Sequence, residues 1–118
     1  MKEKLLQRTK VFAHNAVDLA LELPNTYLGN HIKGQLIRCS TSVAANYRAA
    51  CLAQSKRSFV AKLSIVIEEA DESIFWIEFA LTKNLISKEK TKNSFTEAKE
   101  LTSIFVASRK TINRNNNQ

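Results

Sequence analysis

Residues 55–81 read SKRSFVAKLSIVIEEADESIFWIEFAL, and this segment decides the fold. Its apolar residues recur at steps of three or four: Phe59, Leu63, Ile67, Ala70, Ile74, Ile77 and Leu81. That spacing places one apolar stripe along an α-helix, whereas a half-buried strand would alternate with a period of two. Ser55 stands just before the stripe, where its hydroxyl can cap the first turn. The segment therefore predicts a long amphipathic helix.

Three other segments show the same helical spacing. The first predicted helix covers about residues 4–23 and ends at Pro24, and the second covers about residues 30–53. The last begins after Ser87 and continues to about residue 112. The connections between the four segments are short, which is typical of an up-down-up-down bundle.

The composition agrees with a helical protein. The chain has 118 residues, of which 44% are hydrophobic and 25% charged, as in one globular domain. Two Gly and one Pro are too few for the turns of an all-β protein or for a glycine-rich phosphate loop. We expect an all-α, antiparallel four-helix bundle over residues 1–112, followed by an Asn-rich basic tail over residues 113–118.

The charge is positive and unevenly distributed. The net charge is +7, and residues 28–57 contain five basic side chains without any Asp or Glu. Residues 59–83 are net acidic, and the last ten residues add three more basic side chains. A basic chain favours acidic partners such as nucleic acid phosphates, and the alternative is a merely solubilising surface. The predicted phosphate contacts lie at helix ends and in the tail: Lys56, Arg57, Arg109, Lys110 and Arg114.

The two cysteines are not expected to form a disulfide. Cys39 and Cys51 lie twelve residues apart on one predicted helix, which separates them by about 18 Å. Free thiols suit a reducing compartment, and no leader or long apolar segment is evident. We therefore expect a cytoplasmic protein without a membrane partner.

A row of polar residues follows the second predicted helix. Arg38, Ser42 and Asn46 recur every four residues beside the apolar stripe. A buried guanidinium needs a carboxylate, and Glu72, with Glu69 one turn earlier, is the natural partner. We expect a buried ion pair that fixes the register of two helices. The alternative is an anion or nucleic-acid site built on Arg38.

Catalysis and metal binding find little support. Neither His14 nor His31 follows a glutamate by three residues, as the ligands of a di-iron bundle do. No nucleophile elbow or comparable arrangement of Ser and His is visible. We therefore expect no enzymatic activity, no metal and no cofactor.

The third predicted helix carries apolar residues beyond its core stripe. A second apolar face on a bundle helix indicates contact with another subunit. Stacking on nucleobases is the alternative role for its aromatic residues, and packing is favoured by their helical spacing. The predicted interface residues are Ile65, Phe75, Trp76 and Phe79.

Residues 35–78 resemble a bacterial family. The second helix reads QLIRCSTSVAANYR from Gln35 to Arg48, and the third contains EADES followed by Trp76 and Glu78. This order of arginine, serine, asparagine and glutamate resembles the four-helix-bundle proteins named for reading frames within intervening sequences of 23S ribosomal RNA genes. Family members often carry Glu two or three residues after the asparagine, where this chain has a basic and a small residue.

The resemblance implies a ring-like homopentamer of left-handed antiparallel bundles. It also implies kinship with accessory proteins of diversity-generating retroelements, which bind nucleic acid and a reverse transcriptase. We expect a non-enzymatic, oligomeric accessory protein that contacts the phosphate backbone of RNA or DNA with little sequence preference. The alternative is a ring that scaffolds another protein and has no nucleic-acid role.

Overall fold

The computed structural model describes residues 1–116 as four helices and contains no strand over that range. The helices are α1 (Lys2–Leu21), α2 (Tyr27–Cys51), α3 (Lys56–Thr82) and α4 (Lys88–Asn116). They contain 20, 25, 27 and 29 residues, so the prediction of an all-helical chain with four helices is confirmed.

The four helices form an elongated bundle that measures 51 × 22 × 20 Å. Each helix packs against its neighbour in sequence, and α1 also packs against α4. The largest core cluster joins all four helices through fully buried side chains such as Phe12, Val43, Leu63 and Phe105. Two smaller clusters continue the core around Leu36, Ile77 and Ile32.

The turn between α1 and α2 lies two to three residues earlier than the apolar spacing predicts. Helix α1 ends at Leu21 because a residue before proline is disfavoured in the helical conformation, and Leu23 precedes Pro24. Helix α2 begins at Tyr27 because the Thr26 hydroxyl accepts a hydrogen bond from the Gly29 amide at 3.0 Å. This cap was not predicted from the sequence.

The predicted starts of α3 and α4 are confirmed, and α1 begins at Lys2, two residues before its predicted start. The Ser55 hydroxyl accepts the Ser58 amide at 3.0 Å, and the Ser87 hydroxyl accepts the Lys90 amide at 3.2 Å. Helix α2 ends at Cys51, two residues before the predicted end, and α4 continues to Asn116. Most of the predicted tail over residues 113–118 is therefore a continuation of α4, and residues 117 and 118 lie outside the described residues.

Both cysteines are free. Cys39 is fully buried, its Sγ accepts a hydrogen bond from the Ser73 hydroxyl at 3.2 Å, and burial raises the pKa of its thiol. Within residues 1–116, no helix has the length and apolar character needed to span a bilayer.

Candidate functional site

Three parts of the chain that are distant in sequence meet at one end of the bundle. A cavity of about 660 Å³ is lined by the first turn of α1, the last turns of α2, the start of α3 and the last turns of α4. A neighbouring cavity of about 430 Å³ lies between the α2–α3 turn and Asn115 of α4. We call the residues 1–5, 52–59 and 107–115 the basic end.

The basic end carries seven basic side chains and one carboxylate, Glu3. All five predicted phosphate contacts belong to it, and four of them are exposed. Arg109 is half-buried, and its Nη1 donates to the Ser64 hydroxyl at 3.2 Å. The structure therefore brings together residues of α3 and α4 that the sequence places about fifty positions apart.

Lys2 and Lys4 also belong to the basic end and were not among the predicted contacts. Lys2 lines the larger cavity together with Thr111 and Ile112 of α4. An up-down-up-down order of helices brings the start of α1 to the end of α4. That order is the signal from which both lysines could have been predicted to belong to the basic end.

The opposite end of the molecule is nearly neutral. Residues 19–30 and 78–92, which we call the balanced end, contain four basic and three acidic side chains. There Lys90 pairs with Glu22 at 2.7 Å, and this contact raises the pKa of Lys90. The net positive charge therefore lies mainly at one end of the long axis of the molecule.

The predicted pair of Arg38 and Glu72 forms, but the prediction that it is buried is wrong. Arg38 also contacts Glu69 at 2.9 Å, and its side chain is 49% exposed against 33% for Glu72. Arg38 lies on the outward face of α2 and is exposed, whereas Ser42 and Asn46 are half-buried. A hydrogen bond from Trp76 and the contact with Arg38 lower the pKa of Glu72.

The rest of the polar row forms a separate local contact on α2. The Asn46 amide donates to the Ser42 hydroxyl at 2.8 Å and to the Ser42 carbonyl at 3.0 Å. These bonds lie within one helix and join no second element. The row does not form one continuous network between α2 and α3, because Arg38 contacts Gln35, Glu69 and Glu72 instead.

The predicted interface residues all lie on α3, and two of them are exposed. Ile65 lies ten residues before Phe75, about three turns away along the helix. Phe75 is 51% exposed and Ile65 is 38% exposed. Trp76 and Phe79 are half-buried, and each contacts the Phe75 ring, with centroids 4.9 and 5.9 Å apart. The His31 ring packs edge-on against Trp76 from α2. Phe75, Trp76 and Phe79 thus form an apolar patch, which we call the aromatic surface. It lies beside Glu72, a carboxylate that Arg38 contacts.

Potential metal ligands remain scattered. In the part of the chain that the structure describes, no three histidine, cysteine, aspartate or glutamate side chains come close enough to hold a metal ion. His14 lines an open groove between α1 and α2, and His31 belongs to the aromatic surface.

Fold and charge together define a small all-helical bundle whose net positive charge lies at one end. The chain belongs to the 23S rRNA-intervening sequence protein family, whose sequence profile matches residues 1–107. It is also similar to the solved structure of a protein from Bacteroides thetaiotaomicron VPI-5482, which is a member of the S23 ribosomal protein family with unknown function. The two are 28% identical, the match covers 89% of this chain and 97% of the other, and the TM-score is 0.82. The comparison with curated proteins gives no match.

Proposed function

We propose that this protein is a non-enzymatic, oligomeric accessory protein of the cytoplasm that binds RNA or DNA through the phosphate backbone. The basic end is the observation that carries this proposal, because it holds seven basic side chains and one acidic side chain. Contacts to phosphates are not specific for sequence, so we expect little sequence preference.

The charges of the basic end are free to meet phosphates. None of its basic residues takes part in the five ion pairs of the described residues. Four of the predicted phosphate contacts among them are also exposed, so they are hydrated and a phosphate can reach them without a change in the fold: Lys56, Arg57, Lys110 and Arg114. The ion pairs of the molecule lie instead along its middle and at the balanced end, where they offset basic charge internally.

Binding of this kind depends steeply on salt because each neutralised phosphate releases counterions. We expect mobility-shift titrations with structured RNA and with duplex DNA to show binding at about 50 mM salt. The affinity should fall by orders of magnitude at about 200 mM salt if several phosphates are contacted. No binding of either probe at the lower salt would contradict the proposal and favour a protein scaffold.

We infer that the four helices run up-down-up-down. Two contacts support this arrangement: Glu22 at the end of α1 pairs with Lys90 at the start of α4, while Lys2 and Thr111 share a cavity at the other end. The inference gives the basic end its composition, since it combines the starts of α1 and α3 with the ends of α2 and α4.

We further propose that the aromatic surface of α3 joins subunits into a homo-oligomer, with the pentamer suggested by the family resemblance. Two exposed apolar side chains on one helix, Phe75 and Ile65, exceed what a bundle core requires. Light scattering coupled to size exclusion should give a mass several times 13.3 kDa. Phe75→Lys should yield monomers, whereas Leu21→Lys, at an exposed position of α1, should not. A wild-type mass near that of one chain would contradict the proposal.

A reverse transcriptase is a further partner that the family resemblance suggests.

We propose that the aromatic surface and the basic end are used separately, the first for contacts between subunits and the second for nucleic acid. Only the first residues of α3 belong to the basic end, whereas the aromatic surface lies in the last third of that helix.

A further inference from the structure

The basic end carries two cavities that are open to solvent, in addition to its charge. Its two cavities, of about 660 and 430 Å³, share one wall made by Ala53, Phe59 and Ile112. Each lies within the range of about 300–1,000 Å³ that is typical of sites for small molecules. Phe59 is half-buried, so the structure leaves part of its ring accessible between the two openings.

The lining of the larger cavity is mostly apolar, whereas the smaller cavity mixes apolar and polar side chains. Leu5 and the buried Tyr47 line the larger cavity, and Lys2 is its basic lining residue. Lys56 is the basic lining residue of the smaller one, beside Phe59 and Ile112. Lined in this way, the cavities suit an occupant that combines a flat apolar group with a negatively charged one.

We propose that the cavity wall at Phe59 receives an unpaired nucleobase, so that the protein prefers single-stranded nucleic acid to duplex. This inference rests on the proposed function, since the side chains of the basic end must hold the adjoining phosphates. Stacking on an aromatic ring is tolerant of sequence because every base has a π-face. It therefore adds a preference for strandedness without adding one for sequence.

Electrostatics alone would give the opposite preference. A duplex carries more phosphate charge per unit length than a single strand and gains more from counterion release. Its bases are also paired and stacked on one another, so they cannot enter a cavity at the end of the bundle. A preference for single strands would therefore report contact with bases.

Fluorescence polarisation with three labelled probes of equal length tests the inference on the full chain at about 50 mM salt. The probes are a single strand, the same strand with abasic sites, and a blunt duplex. The intact and abasic strands carry the same phosphates, so the ratio of their affinities isolates the bases. We expect the intact strand to bind about tenfold more tightly than the abasic strand, and more tightly than the duplex.

A matched pair of variants locates the effect. Phe59→Leu keeps an apolar side chain but removes the aromatic face, so the ratio should fall toward one while duplex binding stays unchanged. Phe95→Leu changes another half-buried aromatic residue, on α4 near the balanced end, and should leave the ratio unaltered. Equal binding of the intact and abasic strands by the wild-type protein, with duplex binding retained, would overturn this inference and leave the proposed function standing. Failure of all three probes to bind would overturn both.

Discussion

Arg38 holds Glu69 and Glu72 at the surface of the molecule, and its exposure limits what these contacts contribute. An exposed ion pair stabilises a fold by about 0–1 kcal/mol, whereas breaking a buried pair costs about 3–5 kcal/mol. With the Arg38 side chain 49% exposed, we expect Arg38→Ala to lower the free energy of unfolding by about 1 kcal/mol or less. Urea unfolding measures this, with Arg57→Ala as the control because Arg57 has no ion pair among the described residues. A loss of several kcal/mol would show that the pair is shielded from solvent, for example by another subunit.

Glu72 links stability to pH at the same contacts. Its pKa in the folded protein lies below the ordinary value of 4.5 because Trp76 and Arg38 stabilise the carboxylate. A lowered pKa means that the stabilisation is present above the unfolded value and is lost as pH falls through the folded value. Glu72→Gln should therefore melt below the wild type at pH 7, and the gap should close below about pH 4. Glu78→Gln, which alters a glutamate outside the five ion pairs, is the control. A gap that persists unchanged at low pH would contradict this origin.

The start of α2 depends on one glycine, and the chain offers a matched control. A Cβ at Gly29 would overlap the carbonyl oxygen of Pro24 and press against the capping hydroxyl of Thr26, whereas a Cβ at Gly34 meets nothing. We expect Gly29→Ala to destabilise the protein by about 1–3 kcal/mol through this overlap. Gly34→Ala should stabilise it by about 0.5–1 kcal/mol, because alanine is the better helix former. Urea midpoints for the two variants measure both effects, and equal midpoints would show that the turn adapts at no cost.

At the level of helices, the sequence was sufficient for number and identity but not for every end. Apolar periodicity located all four helices, and Ser55 and Ser87 marked two starts correctly because their hydroxyls act within one turn. Thr26 was missed because the predicted stripe began later, at Ile32. The end of α4 was missed because asparagines suggest a fraying tail, whereas the helix continues through residue 116.

At the level of the whole molecule, the proposed phosphate contacts could be named individually, but the spacing along the chain did not show that they lie at one end of the bundle. Lys56 comes to the last turn of α4 only because the α2–α3 turn meets that turn, which is a tertiary contact. The burial of Arg38 was predicted incorrectly for a related reason. Its four-residue spacing with Ser42 places it beside the apolar stripe, and spacing alone does not show how far a neighbouring helix covers that flank.

The proposal that nucleic acid binds at the basic end is tested most directly by reversing the charge of side chains at each end in a separate variant. Lys56→Glu with Arg57→Glu changes the basic end by the same charge as Lys83→Glu with Lys88→Glu changes the balanced end. Affinity for a structured RNA at about 50 mM salt should fall at least tenfold in the first double variant and much less in the second. The measurement is a titration of both variants and the wild type with one probe, with circular dichroism confirming equal helicity. Equal losses in the two variants would contradict the account, because binding would then follow net charge and not the basic end.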